Sequence, residues 1–305
     1  MRRALTGVAF SALTLAYAST ASAFCRTTTC DPKDPSQGCV LDSELCETTG
    51  IPLYWPDACL SFSVNQAGTE RRQIDWRVTN ELVTQAFRAW TEVDCGGHAP
   101  SISLRSRSPV ACDAQEFNQR GPNANIWMYR DDEWPYAGSD TTLALTTITY
   151  NTRTGEIYDA DVEINSAQNQ LTTSDTQVAA DLLSILTHEA GHFLGLSHTT
   201  RRSATMYAEY FPGTTSLRQL SSDDVAGICA TYPSGRSARP CNYDPRHGFA
   251  TECGQVEESG CGCALPGARS RHLDQRGALL GLGLVVGVAC AALHRRRGRR
   301  RRAAS

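Results

Sequence analysis

The hydrophobic positions of this chain fall into two periods. From Arg77 to Val93, apolar residues recur in steps of three and four, at Val78, Leu82, Ala86, Phe87, Trp90 and Val93, which predicts an amphipathic helix. A second helix is predicted over 174–196. Thr173 or Ser174 caps it, Asp175 lies in its first turn, Val178, Leu182, Ile185 and Leu186 form its apolar face, and Gly195 stops it. A third opens over 220–225, where Ser221 and Asp224 stand at capping-box spacing with Asp in place of the usual Glu, and Pro233 ends it. Alternating or β-branched runs predict strands over 60–64, 101–104, 125–128, 141–150 and 157–164, the last two joined by a turn containing Gly155. Leu53-Tyr54-Trp55 reads as the approach to the first strand, and no internal repeat is visible.

The two ends break this pattern. Residues 1–23 put Arg2 and Arg3 before an apolar stretch from Ala4 to Ala18 and end in Ala21-Ser22-Ala23, as a signal peptide cut after Ala23 does. The rival reading is an N-terminal anchor helix, for which the stretch is short. Residues 277–293 carry no charge, at the lower limit for a membrane span, and the Arg-rich tail over 294–305 follows directly. The positive-inside rule puts that tail in the cytoplasm and the body outside. Cys261-Gly-Cys263, the apolar segment and the arginine cluster resemble the C-terminal sorting tags of myxobacterial surface proteins, which implies removal of the tag and re-anchoring through a cysteine. A plain single-pass anchor is the alternative. The body divides into a Cys-rich leader over 24–49, a domain over 50–233 and a Cys-containing linker over 234–276 that lacks periodicity.

Charge and cysteine content sharpen the class. The formal net charge is -3, but between Phe24 and Leu265 there are 17 basic and 31 acidic residues, a net of -14. Such a body repels phosphates, which argues against a nucleic-acid partner. Of the 13 cysteines, ten remain once Cys261, Cys263 and Cys290 are set aside, and outside the cytoplasm these are expected to form disulfides. A four-cysteine zinc site in the leader is the rival, though no CxxC pair supports it.

The chemistry concentrates in HEAGHFLGLSH, from His188 to His198. His188 and His192 are four apart and share one helix face, Gly195 turns the chain back, and His198 can join them as third ligand of one zinc ion. Three neutral imidazoles leave a position for water, and Glu189 is placed as the base that takes its proton. Met206 lies at Met-turn distance past His198, which completes the metzincin signature.

Within that group the chain resembles the matrixins, the catalytic domains of matrix metalloproteinases. The motif is followed by Ala204-Thr-Met206-Tyr207. Pro52-Leu-Tyr-Trp55, Ala86-Phe87-Arg-Ala-Trp90, Leu143-Ala144 and Leu220-Ser-Ser-Asp-Asp-Val-Ala-Gly-Ile228 resemble further matrixin segments in order, over about residues 50 to 233. The resemblance implies an α+β fold, a twisted five-stranded mixed sheet with an active-site helix and a C-terminal helix. It implies a zinc endopeptidase whose polypeptide substrate lies along the edge strand near Leu143, Ala144 and Thr146, with Tyr207, Tyr210 and Phe211 walling a pocket. Thr199 stands where matrixins usually carry serine, and Ala208 where proline follows Met-Tyr. No histidine lies between Arg130 and Asn165, so the second, structural zinc of vertebrate matrixins is expected to be absent. Asp159, Asp161 and Glu163 share one strand face and are candidate calcium ligands, a solvated acidic face being the alternative. The whole reads as an exported, surface-anchored or secreted monomeric zinc endopeptidase. A non-catalytic adhesion protein on a relict protease fold is the alternative, against which the intact Glu189 argues.

Overall fold

The structure, a computed structural model, describes residues 24–31, 34–138 and 141–254. These belong to a compact unit bounded by Met1–Glu258; a second unit, Ser259–Ser305, lies outside the described residues, as do the segments read as signal peptide, membrane span and tail. No helix among the described residues is long and apolar enough to cross a membrane.

The elements follow one another as β1 (Cys25–Arg26), β2 (Cys59–Val64), α1 (Trp76–Thr91), β3 (Ser103–Ser106), β4 (Ile126–Tyr129), β5 (Ala144–Tyr150), β6 (Ile157–Ile164), β7 (Leu171–Thr172), β8 (Ala180–Asp181), α2 (Leu182–Phe193), β9 (Leu196–Ser197) and α3 (Ser222–Thr231). Five strands form one mixed sheet in the order β3-β2-β4-β6-β5. The first four run parallel, and β5 closes the edge antiparallel to β6. This is the α+β architecture the sequence implied.

Alternation in β6 sends Ala160, Val162 and Ile164 to the helical side of the sheet, where they join the main core. Aromatic rings fill that core: Phe193 of α2 stacks on Trp55 (5.3 Å between centroids) and meets Phe87 of α1 edge-on (5.0 Å). Two buried indoles fix the end of α2. Trp90 Nε1 donates to the Thr187 carbonyl (2.8 Å), and Trp55 Nε1 donates to the Phe193 carbonyl (2.7 Å).

The active-site helix starts later than its pattern predicts. Residues 174–181 are not helical: Leu171–Thr172 pairs with Ala180–Asp181, and Asp181 is the N-cap, accepting from the Ser184 N–H (2.9 Å). Arg218, 37 residues away, grips the buried Asp181 carboxylate through Nε (2.7 Å) and Nη2 (2.6 Å). That long-range pair selects the cap, and no local period reports it. Arg218→Ala leaves a buried charge with its cap bond alone and is expected to destabilise by about 3 kcal/mol. Urea unfolding checks this, and a loss within error would show that the pair does not hold α2.

All ten body cysteines are paired: Cys25–Cys46, Cys30–Cys39, Cys59–Cys241, Cys95–Cys229 and Cys112–Cys253. Three of these close loops longer than 130 residues, the kind that most restricts the unfolded chain. Two of them bind residues 234–254, which therefore lie on the domain instead of leading away from it. Tyr243 there accepts from Ser61 Oγ through its carbonyl (2.6 Å) and shares a hydrogen bond with Ser103 Oγ (2.8 Å).

Candidate metal centre and cleft

Helix α2 carries His188, Glu189 and His192, and β9 leads straight into His198. Between them Gly195 turns the chain with φ 88°, and a Cβ there would lie 2.7 Å from the Leu53 carbonyl oxygen. Only glycine supplies that turn without strain. The Nε2 atoms then converge, with His198 3.1 Å from His188 and 3.2 Å from His192. His188 Nδ1 faces the Thr205 carbonyl (2.7 Å) and His192 Nδ1 the Leu196 carbonyl (3.0 Å). A carbonyl only accepts, so both Nδ1 atoms carry the proton and both Nε2 atoms present lone pairs. Burial, then the neighbouring histidine, lowers the pKa to about 4 for His188 and about 3 for His192 and His198. All three rings are neutral at physiological pH.

The lone pairs of His188 and His192 thus converge on His198 Nε2, whose own lone pair joins them when the His198 proton sits on Nδ1. Tetrahedral zinc with bonds of about 2.05 Å needs nitrogens about 3.3 Å apart, so the spacing fits. The three histidines therefore suit one zinc ion. Glu189 is 6% exposed, and Thr146 Oγ1 donates to its Oε2 (2.6 Å). Burial raises its pKa to about 7 against that hydrogen bond. A cation on the adjacent histidines pulls it back down.

The support beneath the histidines rests on Asp224, which sequence reasoning read only as a capping residue. It does cap α3, accepting from the Ser221 N–H (2.8 Å) and Oγ (2.7 Å). The same carboxylate also takes the N–H groups of Thr205 (2.8 Å) and Met206 (3.0 Å). Thr205 in turn orients His188, so α3 reaches the site through one carboxylate. Met206 is buried, and its sulfur lies where a Cβ on Gly191 would point. Thr146 was legible only as part of the edge strand.

The other candidate residues are dispersed. Leu143 and Ala144 lie at the start of edge strand β5, where the Leu143 carbonyl accepts from the Asn165 N–H (2.9 Å). Tyr207 stacks on the exposed Phe211 (6.3 Å), whereas the Tyr210 hydroxyl accepts from the Asp181 N–H (2.9 Å) and donates to the Thr214 carbonyl (2.6 Å). Asp159, Asp161 and Glu163 share a face, as alternation requires, but that face is buried, so it is not a solvated acidic one. Glu163 is held by Arg130 (2.5 Å) and Tyr136. Asp161 accepts from the N–H groups of Ile126 (2.8 Å) and Glu116 (3.1 Å). Asp159 Oδ1 is buried with no hydrogen-bond partner among the described residues. Burial first, and then neighbouring carboxylates, raise the pKa of Asp159; burial is also the main cause of the rise at Asp161.

Comparison with known proteins agrees with this geometry. The family model for matrixin (Peptidase_M10) matches residues 54–233, and the chain belongs to that family. Among similar proteins, interstitial collagenase of Equus caballus is 48% identical over 209 residues, 68% of this chain and 39% of that protein. Matrix metalloproteinase-C of Caenorhabditis elegans is 26% identical over 220 residues, 67% of this chain and 33% of that protein. Metalloendoproteinase 1-MMP of Arabidopsis thaliana is 47% identical over 57 residues, 19% of this chain and 15% of that protein. The chain thus spans well under half the length of these relatives.

Proposed function

We propose that the chain is an exported, surface-anchored or secreted endopeptidase that holds one Zn2+ on His188, His192 and His198 and uses Glu189 as general base. The observation that carries this reading is the convergence of three imidazole Nε2 atoms beside a buried carboxylate. Bound zinc supplies Lewis-acid polarisation of a carbonyl and makes a water acidic near pH 7. The protein does the rest. Thr146 fixes one oxygen of Glu189, and the carboxylate takes the proton of the attacking water and returns it to the leaving amine. Edge strand β5, which pairs only with β6 among the described strands, receives an extended substrate by strand addition. Five disulfides support an oxidising compartment. Calcium belongs to the same proposal, on Asp159, Asp161 and Glu163, where Asp159 Oδ1 is buried with no hydrogen-bond partner among the described residues.

The full chain produced by an exporting host tests this. Its mature N-terminus is expected at Phe24, with about one zinc per chain. Gelatin cleavage is expected to stop with chelator and return with zinc. Calcium in the same metal analysis supports the second site, and its absence removes it. A folded chain without zinc, or cleavage indifferent to chelation, overturns the proteolytic reading.

A further inference from the structure

The Cys-rich leader does more than close off the N-terminus of the domain. Val40 to Thr48 form a tight hairpin: Leu41 bridges Glu47, and the Thr48 N–H donates to the Val40 carbonyl (2.9 Å). Asp42 accepts from the N–H groups of Glu44 (2.8 Å) and Cys46 (2.9 Å). Cys25–Cys46 and Cys30–Cys39 staple it. Its apolar side chains nevertheless face outward: Val40 is 54% exposed, Leu41 51% and Leu45 65%. Leu45 also has φ 62°, a left-handed conformation that glycine or asparagine takes at less cost. A stapled turn thus holds a leucine, strained and uncovered, at its tip.

The hairpin contacts one border of the cleft directly and is tied through Thr28 and Pro52 to the other. Thr200 Oγ1, two residues past His198, donates to Glu44 Oε2 (2.9 Å). At the far end of edge strand β5, Glu47 of the hairpin accepts from Thr28 Oγ1 (2.9 Å), and Thr28 pairs with Pro52, whose carbonyl packs against Gly155 in the turn that follows Tyr150. Thr146, which contacts Glu189, and Tyr150 are four residues apart on β5, about 13 Å at strand rise. An extended chain on β5 therefore reaches the leader about four residues from its scissile bond.

We infer that Val40, Leu41 and Leu45 form an exosite that binds apolar residues of the polypeptide substrate about four to six positions from the scissile bond. The inference rests on the proteolytic reading, and the occupant follows from the continuity of the hairpin with the cleft. Disulfide pre-organisation lowers the ordering cost of such contacts.

The test compares the full chain with Leu41→Ser/Leu45→Asn, in which asparagine accepts the left-handed turn and spares the fold. Two peptides share one cleavage core. One ends three residues from the scissile bond on each side, and the other extends eight residues with leucines at positions four to six. The variant is expected to lose about tenfold in kcat/KM on the long peptide, mainly through KM, and nothing on the short one. Equal effects on both peptides, or none on either, would overturn the exosite while leaving the protease intact. If the full chain cleaves neither peptide nor gelatin, the proteolytic reading fails, and the exosite fails with it.

Discussion

Glu189→Ala is expected to lower kcat/KM by about 10³- to 10⁴-fold, the contribution of a positioned general base, while zinc stays at about one per chain. The two effects separate because the residue touches the chemistry but not the ligand set. Its carboxylate is held by Thr146, whereas the histidines are oriented by the carbonyls of Thr205 and Leu196. The loss is expected in kcat more than in KM, since the base acts only as the proton moves. Removing the side chain deletes a buried carboxylate rather than stranding one, so a folding defect is not expected; a thermal melt alongside checks this. A variant that kept near-normal turnover would remove Glu189 from the mechanism. A variant that lost its zinc would show that the carboxylate supports the metal site rather than the water.

What could be read from the sequence follows from how local each cause is. The histidine spacing, the turn at Gly195 and the capping box of α3 are set by neighbours within a few residues, and the chain states them directly. The strands of the main sheet carry their period in their own side chains, so β6 is found residue for residue. The start of α2 is not local. Residues 174–178 carry good capping and apolar signals, yet Arg218 grips Asp181 and places the cap seven residues later. Asp224 shows the same limit. Its capping role is visible at three-residue spacing, but its hold on the Met206 turn, 18 residues away, is not. The acidic face of β6 was assigned to one surface by alternation, but only the folded segments over it show that surface to be buried. Residues 234–254 lack periodicity because disulfides fix them to the domain rather than an apolar stripe.

Gly191→Ala is expected to weaken both the fold and the metal site, although local propensity points the other way. In a helix interior alanine is favoured over glycine by up to about 1 kcal/mol. Gly191, however, lies between the two helical histidines on a face with no room. A Cβ there would sit 2.2 Å from Met206 Sδ and 2.8 Å from Trp90 Cζ2. Both neighbours are buried, and Trp90 is tied to the Thr187 carbonyl, so the strain passes to α2 or to the Met206 turn. Contacts this short put the overpacking cost at the upper end of its range, about 2–3 kcal/mol, which outweighs the helix gain of up to about 1 kcal/mol and leaves a net loss of about 1–2 kcal/mol. The expected fall in melting temperature is about 2–8 °C for a domain of this size. Because the Met206 turn includes Thr205, whose carbonyl orients His188, zinc affinity is expected to drop about 10- to 100-fold, as it does when a ligand's outer support shifts. Adding Met206→Ala removes the nearest clash, so the two substitutions are expected to be non-additive, with the double variant more stable than the sum of the singles. Strict additivity, or a Gly191→Ala chain that melts higher and binds zinc as before, would mean that the glycine is not required by the packing of α2 against the Met206 turn.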